Sequence, residues 1–258
     1  MSHYYFLATA LPDLSIGQAP EISFAEMAFL YEQNLSQEDL KKIHHLRLLY
    51  DIENIRAYWL KEPLDRHGNF DENELEEALV SFIGFPSYVY EFLSKYNELE
   101  GRLRFFPKLI ATYYQDQLKY VTGFLKKYFS FDRTLRLILV ALRAKKLNRD
   151  ILRELQFESI EDPLVAQILS QKDAKNYDPP DEYQEVKLIF NERSDEPTAL
   201  NKALAEYRFK KIDELVGLQV FSLDVLIAYF IKFIMVEKWQ EQDAEKGNRL
   251  IKKIIQEP

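Results

Sequence analysis

In PKLIATYYQDQLKYVTGFL, residues 107–125, the apolar positions Leu109, Ile110, Tyr113, Tyr114, Leu118, Val121 and Leu125 fall close to the 3.6-residue period of an α-helix. Pro107 suits the first helical position, where its missing N–H costs nothing, so the pattern predicts a long helix opening there. The same reading extends in both directions. Ser36 is a helix cap, with Leu35 and Leu40 as an apolar staple, and its helix runs to about Lys61, ahead of Pro63. Asp71 with Glu74 three residues on forms a capping box, stapled by Phe70 and Leu75. Pro86 opens Ser87–Glu98, Asp132–Leu147 is a strongly apolar helix, Asn148 caps a short helix, and Asp162-Pro163 starts another. A final helix is expected from Ser222 almost to Gln256.

Composition agrees with an all-α chain. Only 7 of 258 residues are glycine, which starves β-turns and favours helices joined by short connections. Hydrophobic residues at 47% and charged residues at 29% describe a folded globular protein. The net charge of −8 argues against wrapping nucleic acid, and the absence of cysteine excludes disulfides, thiol nucleophiles, thiolate zinc sites and iron–sulfur clusters. The start lacks the basic leader and apolar run of a signal peptide. The most membrane-like stretch, Val220 to Val236, carries Asp224 and Lys232, and reads as a buried helix of a soluble, intracellular protein.

Two segments depart from this pattern. Residues 172–198 hold Pro179-Pro180, Pro197 and eight acidic side chains, and read as an acidic loop insertion with at most one helical turn around Val186–Phe190. The chain is expected to be one helical domain, 1–258, with units of roughly 1–100, 101–171 and 199–258 around that loop. From Lys119 to Arg153, ten basic residues face only Asp132 and Asp150, an excess of +8. They either decorate a solvated face attracted to the acidic loop or dock a partner. Arg143, Lys145 and Lys146, near a helix C-terminus, are the candidate partner-binding residues.

No catalytic motif emerges. Asp65 and Glu76 have the end-to-end spacing of a calcium loop, but Phe70 stands where its glycine must be and His67 replaces an oxygen ligand, so a turn and helix cap explain the segment. His44 and His45 point about 100° apart on a helix, and neither has a ligand-type residue four positions away. No P-loop, nucleophile elbow, HExxH or dinucleotide fingerprint occurs, and no cofactor is expected. Instead, an aromatic residue just before an Asp recurs near the start or middle of three helices: Tyr50-Asp51, Phe131-Asp132 and Phe221-Ser-Leu-Asp224. It reads as a faint repeat of three helical units.

These residues resemble a known family. Tyr4-Tyr5-Phe6-Leu7-Ala8 resembles the tyrosine-rich start of the C-type (or d-type) central-stalk socket proteins of V-type and A-type ATPases. Tyr50-Asp51-Ile-Glu-Asn54-Ile55-Arg56 is similar to that family's Asp-x-x-Asn helix opening. Phe131-Asp132, Leu142-Arg143-Ala144-Lys145 and Leu147-Asn148-Arg-Asp150 resemble its second occurrence, with Leu135 where the second Asn would stand. Asp224 through Tyr229 and Lys232 to Glu237 resemble the third. The resemblance implies an all-helical funnel of three pseudo-repeated units in a diverged bacterial branch. It implies a non-catalytic socket between the central rotor shaft and the membrane proteolipid ring. The expected partners are then the central-stalk rotor subunits and the proteolipid ring, and the expected location is cytoplasmic, peripheral to the membrane through the complex. A helical adaptor unrelated to rotary ATPases has the same composition and is the alternative.

Overall fold

The structure is a computed structural model that describes residues 4–256, with side chains described as far as residue 242. Its described residues form twelve α-helices and one short 3-10 turn, with no strand. In chain order the helices are α1 (Tyr5–Ala10), α2 (Phe24–Asn34), α3 (Gln37–Leu60), α4 (Glu72–Ser81), α5 (Ser87–Lys95) and α6 (Leu99–Tyr120). There follow α7 (Gly123–Lys146), α8 (Ile151–Glu154), α9 (Pro163–Ser170), the 3-10 turn Asp181–Tyr183, α10 (Gln184–Arg193), α11 (Pro197–Val216) and α12 (Leu223–Gln256). The fold is all-α, as composition and periodicity predict.

Two compact units divide the chain. One joins the residues up to Ile43 with those from Leu188 onward, and the other is His44–Lys187. In the first, α12 turns Leu226, Ile227, Phe230, Phe233 and Ile234 inward, all buried. Phe24 and Tyr31 of α2 meet the Phe230 ring edge-on at 5.9 and 5.6 Å. Buried beside it, Tyr31 donates its hydroxyl proton to the Leu226 carbonyl at 2.6 Å, so the polar atom enters the core with a partner. Leu7 of the tyrosine-rich start is fully buried, and the Tyr4 hydroxyl donates to Asp39 at 3.0 Å. In the second unit α7 is central: Leu135, Leu137, Ile138, Ala141 and Ala144 are buried, along with Tyr113 and Tyr114 of α6.

Several caps stand where the sequence places them. Asp71 and Glu74 make the reciprocal capping box, and Asp162 accepts the Leu164 and Val165 amides ahead of Pro163. Ser36 accepts the Asp39 amide at 3.2 Å, which starts α3.

Four boundaries differ from expectation. Pro107 does not open a helix but lies inside α6, eight positions after Leu99. A proline there leaves the Leu103 carbonyl without its helical donor, at a cost of about 3 kcal/mol. Tertiary contacts hold the preceding turns helical nonetheless. Phe105 stacks on Tyr96 at 4.6 Å, the buried Phe106 meets Trp59, and Arg102 donates to the Tyr96 carbonyl at 2.7 Å. The apolar helix expected from Asp132 begins at Gly123, because Phe124, Leu125, Phe129 and Phe131 are all buried on it. Asn148 is no cap: at φ 51 it takes the left-handed conformation that ends α7, with the Arg149 amide returning to the Ala144 carbonyl. Asp150, through the Leu152 amide, caps α8 instead.

The fourth difference is the acidic segment. Within 172–198 the 3-10 turn and the whole of α10 form, far more than one turn. Tyr177, Val186 and Phe190 are buried, and Tyr183 stacks on Phe131 at 6.4 Å. Asp178 pairs with Lys187 at 2.6 Å and accepts from Gln184 at 3.0 Å. Apolar anchors at helical spacing outweigh the charge density that suggests a loop.

Candidate docking surface

Arg143, Lys145 and Lys146 form the last turn of α7, where cations complement the helix macrodipole. The structure separates their roles. Arg143 and Lys146 are exposed, whereas Lys145 is half-buried. Its ammonium donates to the carbonyls of Gln171, Lys172 and Ala174 at 2.8, 2.7 and 2.5 Å. These carbonyls follow the end of α9, so Lys145 supplies from a neighbouring helix the C-terminal capping that α9 lacks in its own sequence.

Other members of the basic segment are also engaged internally. Arg133 is buried and forks between Glu158 at 2.8 Å and Asp162 at 2.7 Å. Arg136 pairs with the second oxygen of Glu158 and lies 5.4 Å over the Tyr114 ring. Burial works against the Arg133 charge, but the two carboxylates outweigh it and hold the guanidinium more firmly protonated. Burial likewise disfavours the Asp162 carboxylate, yet the Arg133 bond and the two capping amides bring it below the usual range. Sequence reading finds Asp162 as a cap but not its second role. A charge partner 29 residues away leaves no local pattern. Beside the exposed end of α7, a surface depression of about 440 Å³ is lined by Arg149, Asp150, Arg153 and Glu154, equal in acids and bases.

The aromatic–Asp elements are braces. Asp51 is wholly buried in α3, where Oδ1 accepts the amides of Asn69 at 2.5 Å and Phe70 at 3.1 Å, and Oδ2 accepts from Asn69 Nδ2 at 2.6 Å. One turn on, Asn54 donates to the Asp65 carbonyl at 2.9 Å and accepts the Asp65 amide at 2.7 Å. Arg47 donates to the carbonyls of His67 and Gly68. His67 is also buried, its Nδ1 within 2.5 Å of Asp65 Oδ1. Thus the segment that superficially resembles a calcium loop wraps the Asp51 carboxylate. In α7, Asp132 accepts the hydroxyl of the buried Tyr114, which ties α7 to α6. The third element differs: Asp224 lies in the first turn of α12, and Phe221 packs 4.8 Å from the Tyr5 ring.

Among the described residues no group of three or more His, Asp or Glu side chains could hold a metal ion. None of their helices is long and apolar enough to cross a membrane. A family model described as "Protein of unknown function (DUF2764)" matches residues 1–257. The chain belongs to the DUF2764 family. Similar proteins include an uncharacterized protein of Chlamydia muridarum, 29% identical over 257 residues, with 97% of each chain covered. One of Chlamydia trachomatis is 27% identical, again with 97% of each chain covered, and one of Chlamydia pneumoniae is 29% identical with 98% covered. No solved structure matches. The DUF2764 match spans the chain from its tyrosine-rich start to α12, so both compact units belong to the family.

Proposed function

We propose that this chain is a non-catalytic subunit of a V/A-type rotary ATPase, a socket that couples the central rotor shaft to the membrane proteolipid ring. The observation that carries the reading is the common use of two aromatic–Asp elements that also carry the family resemblance. Tyr50-Asp51 and Phe131-Asp132 each lie within a 24-residue helix, and each Asp takes a hydrogen bond from the neighbouring element. A part that transmits torque needs long helices braced laterally, because buried, satisfied polar contacts fix one arrangement of the helices. Arg143 and Lys146, exposed at the end of α7, would meet an acidic face of a stalk or ring subunit.

The test is affinity purification of the tagged native protein. Central-stalk subunits or proteolipid ring should co-purify, and the isolated chain should hydrolyse no nucleotide. Rotary complexes that consistently lack the chain, or intrinsic ATPase activity, would contradict the proposal. Specific capture of an unrelated assembly would favour the adaptor alternative.

A further inference from the structure

The turn between α4 and α5 is apolar where a fold gains least from apolar residues. Val80, Phe82 and Ile83 are 75%, 54% and 73% exposed, three large hydrophobic side chains within four positions. Phe82 ends α4 in the left-handed conformation, φ 59 and ψ 34, which glycine ordinarily supplies and a bulky residue adopts only under strain. Its ring packs on Tyr90 alone among the described aromatic contacts, at 5.3 Å.

The turn is held rigidly beneath this patch. Tyr90 donates its hydroxyl to the Ala78 carbonyl at 3.3 Å and accepts the Phe85 amide at 2.9 Å, spanning the turn from both sides. Gly84, at φ 107, lies against the Phe70 ring, which a Cβ there would approach to 3.0 Å. The backbone is therefore pre-organised to present Phe82 and Ile83 outward, which lowers the ordering cost of any contact they make.

Charge identifies the occupant. Between Arg66 and Lys95 the chain holds Asp71, Glu72, Glu74, Glu76, Glu77 and Glu91, and no lysine or arginine. Glu76 and Glu77 are exposed, four and three positions before Val80, so an acidic band lies one helical turn from the apolar tip. Anionic lipid headgroups and nucleic acid are repelled by that band. A helix with an apolar stripe and flanking cations satisfies both halves.

We propose that the α4–α5 turn docks a basic amphipathic helix of a partner protein, with Val80, Phe82 and Ile83 as apolar anchors and Glu76 and Glu77 as the charged rim. This does not rest on the rotary-subunit reading and stands or falls separately.

The test titrates the full-length protein with a dye-labelled helical peptide whose apolar face is leucine and whose polar face is lysine. Controls are the same peptide with glutamate for lysine, and phosphatidylserine–phosphatidylcholine vesicles. The lysine peptide should bind, more weakly as salt rises, and Ile83→Ser should weaken it at least tenfold. Ile160→Ser, at an equally exposed position, should not. Phe82→Gly should leave the melting temperature unchanged or raised while weakening binding, because glycine relieves the left-handed strain. The proposal is overturned if the lysine peptide does not bind, if Ile83→Ser leaves its affinity unchanged, or if the glutamate peptide binds equally. It is equally overturned if Ile83 is needed instead for vesicle binding or for self-association of the chain.

Discussion

Gly68 lies so close to Asp51 that a Cβ built on it would stand 2.6 Å from Asp51 Oδ1 and 2.8 Å from Asn54 Nδ2. Both atoms are hydrogen-bonded and their residues buried, so neither can swing away. Gly68→Ala should therefore destabilise by about 1–3 kcal/mol through overpacking. That corresponds to a fall of roughly 2–12 °C in Tm for a chain of this size. Gly101 is the internal control: in the first turn of α6 its Cβ would meet only Tyr96, at 4.0 Å. Gly101→Ala should be neutral or stabilising by up to about 1 kcal/mol. Equal melting temperatures for the two variants would show that the Asp51 cradle is not tightly packed.

Asp51 also gives stability a definite pH dependence. Burial pushes its carboxyl up to about 6, against the hydrogen bonds from Asn69 and Phe70 and the nearby Arg47 charge. A carboxyl whose folded pKa lies above its unfolded value of 3.8 binds more protons in the folded state between those values. Its contribution to stability therefore falls as pH rises from about 4 to about 6 and is flat above that. The size is about 3 kcal/mol at most. Denaturant melts of wild type and Asp51→Asn at pH 4, 5, 6 and 7 read this directly: the wild type should lose stability relative to the variant across the window. A difference that does not change with pH would place the Asp51 pKa at its ordinary value.

Much of this architecture is legible in the sequence where one side chain answers its own backbone. The Asp71–Glu74 box and the Asp162-Pro163 start need only three residues of context, and both are found as read. Pro107 misleads because its rule is local while the forces that override it, Phe105 on Tyr96 and Phe106 on Trp59, join separate elements. The acidic segment misleads for a related reason: its charges are visible in sequence, but the burial of Tyr177 and Val186 is not. At the candidate surface, the cluster Arg143, Lys145 and Lys146 is visible as charge density alone. Which of these cations is already committed depends on carbonyls more than 20 residues away.

Arg133 tests the commitment of the basic segment to the fold. Arg133→Met keeps much of the side-chain volume but strands Glu158, whose side chain is only 4% exposed, and weakens the hold on Asp162. Removing one partner of a buried charge cluster costs about 3–5 kcal/mol. Arg136 still reaches Glu158, so the lower end of that range is expected. Glu158→Gln in the Arg133→Met background should restore part of the loss, because it removes the uncompensated charge. Urea melts of the single and double variants measure the coupling. Strict additivity would mean that the arginine contributes through packing alone.

Lys145 separates docking from folding at the end of α7. Its three carbonyl bonds follow the C-terminus of α9, where the chain offers no cation of its own before Lys172. Lys145→Met keeps the aliphatic stem and removes the donors, so about 1–2 kcal/mol should be lost, the lower part of the range for charged hydrogen bonds because two of the three are exposed. Arg143→Glu with Lys146→Glu reverses two exposed charges at the same turn and should change stability by only about 0.5 kcal/mol. A socket that uses this face for docking requires the opposite ranking in binding. The double reversal should slow association with stalk or ring subunits and abolish much of its salt dependence, because rim charges act chiefly on encounter. Lys145→Met should bind nearly as wild type at temperatures where it remains folded. If Lys145→Met loses binding while its melting temperature is unchanged, the lysine is a docking residue and its carbonyl contacts are incidental. If the double reversal leaves association untouched, Arg143 and Lys146 are solvated charges, and the partner, if stalk or ring, meets another face.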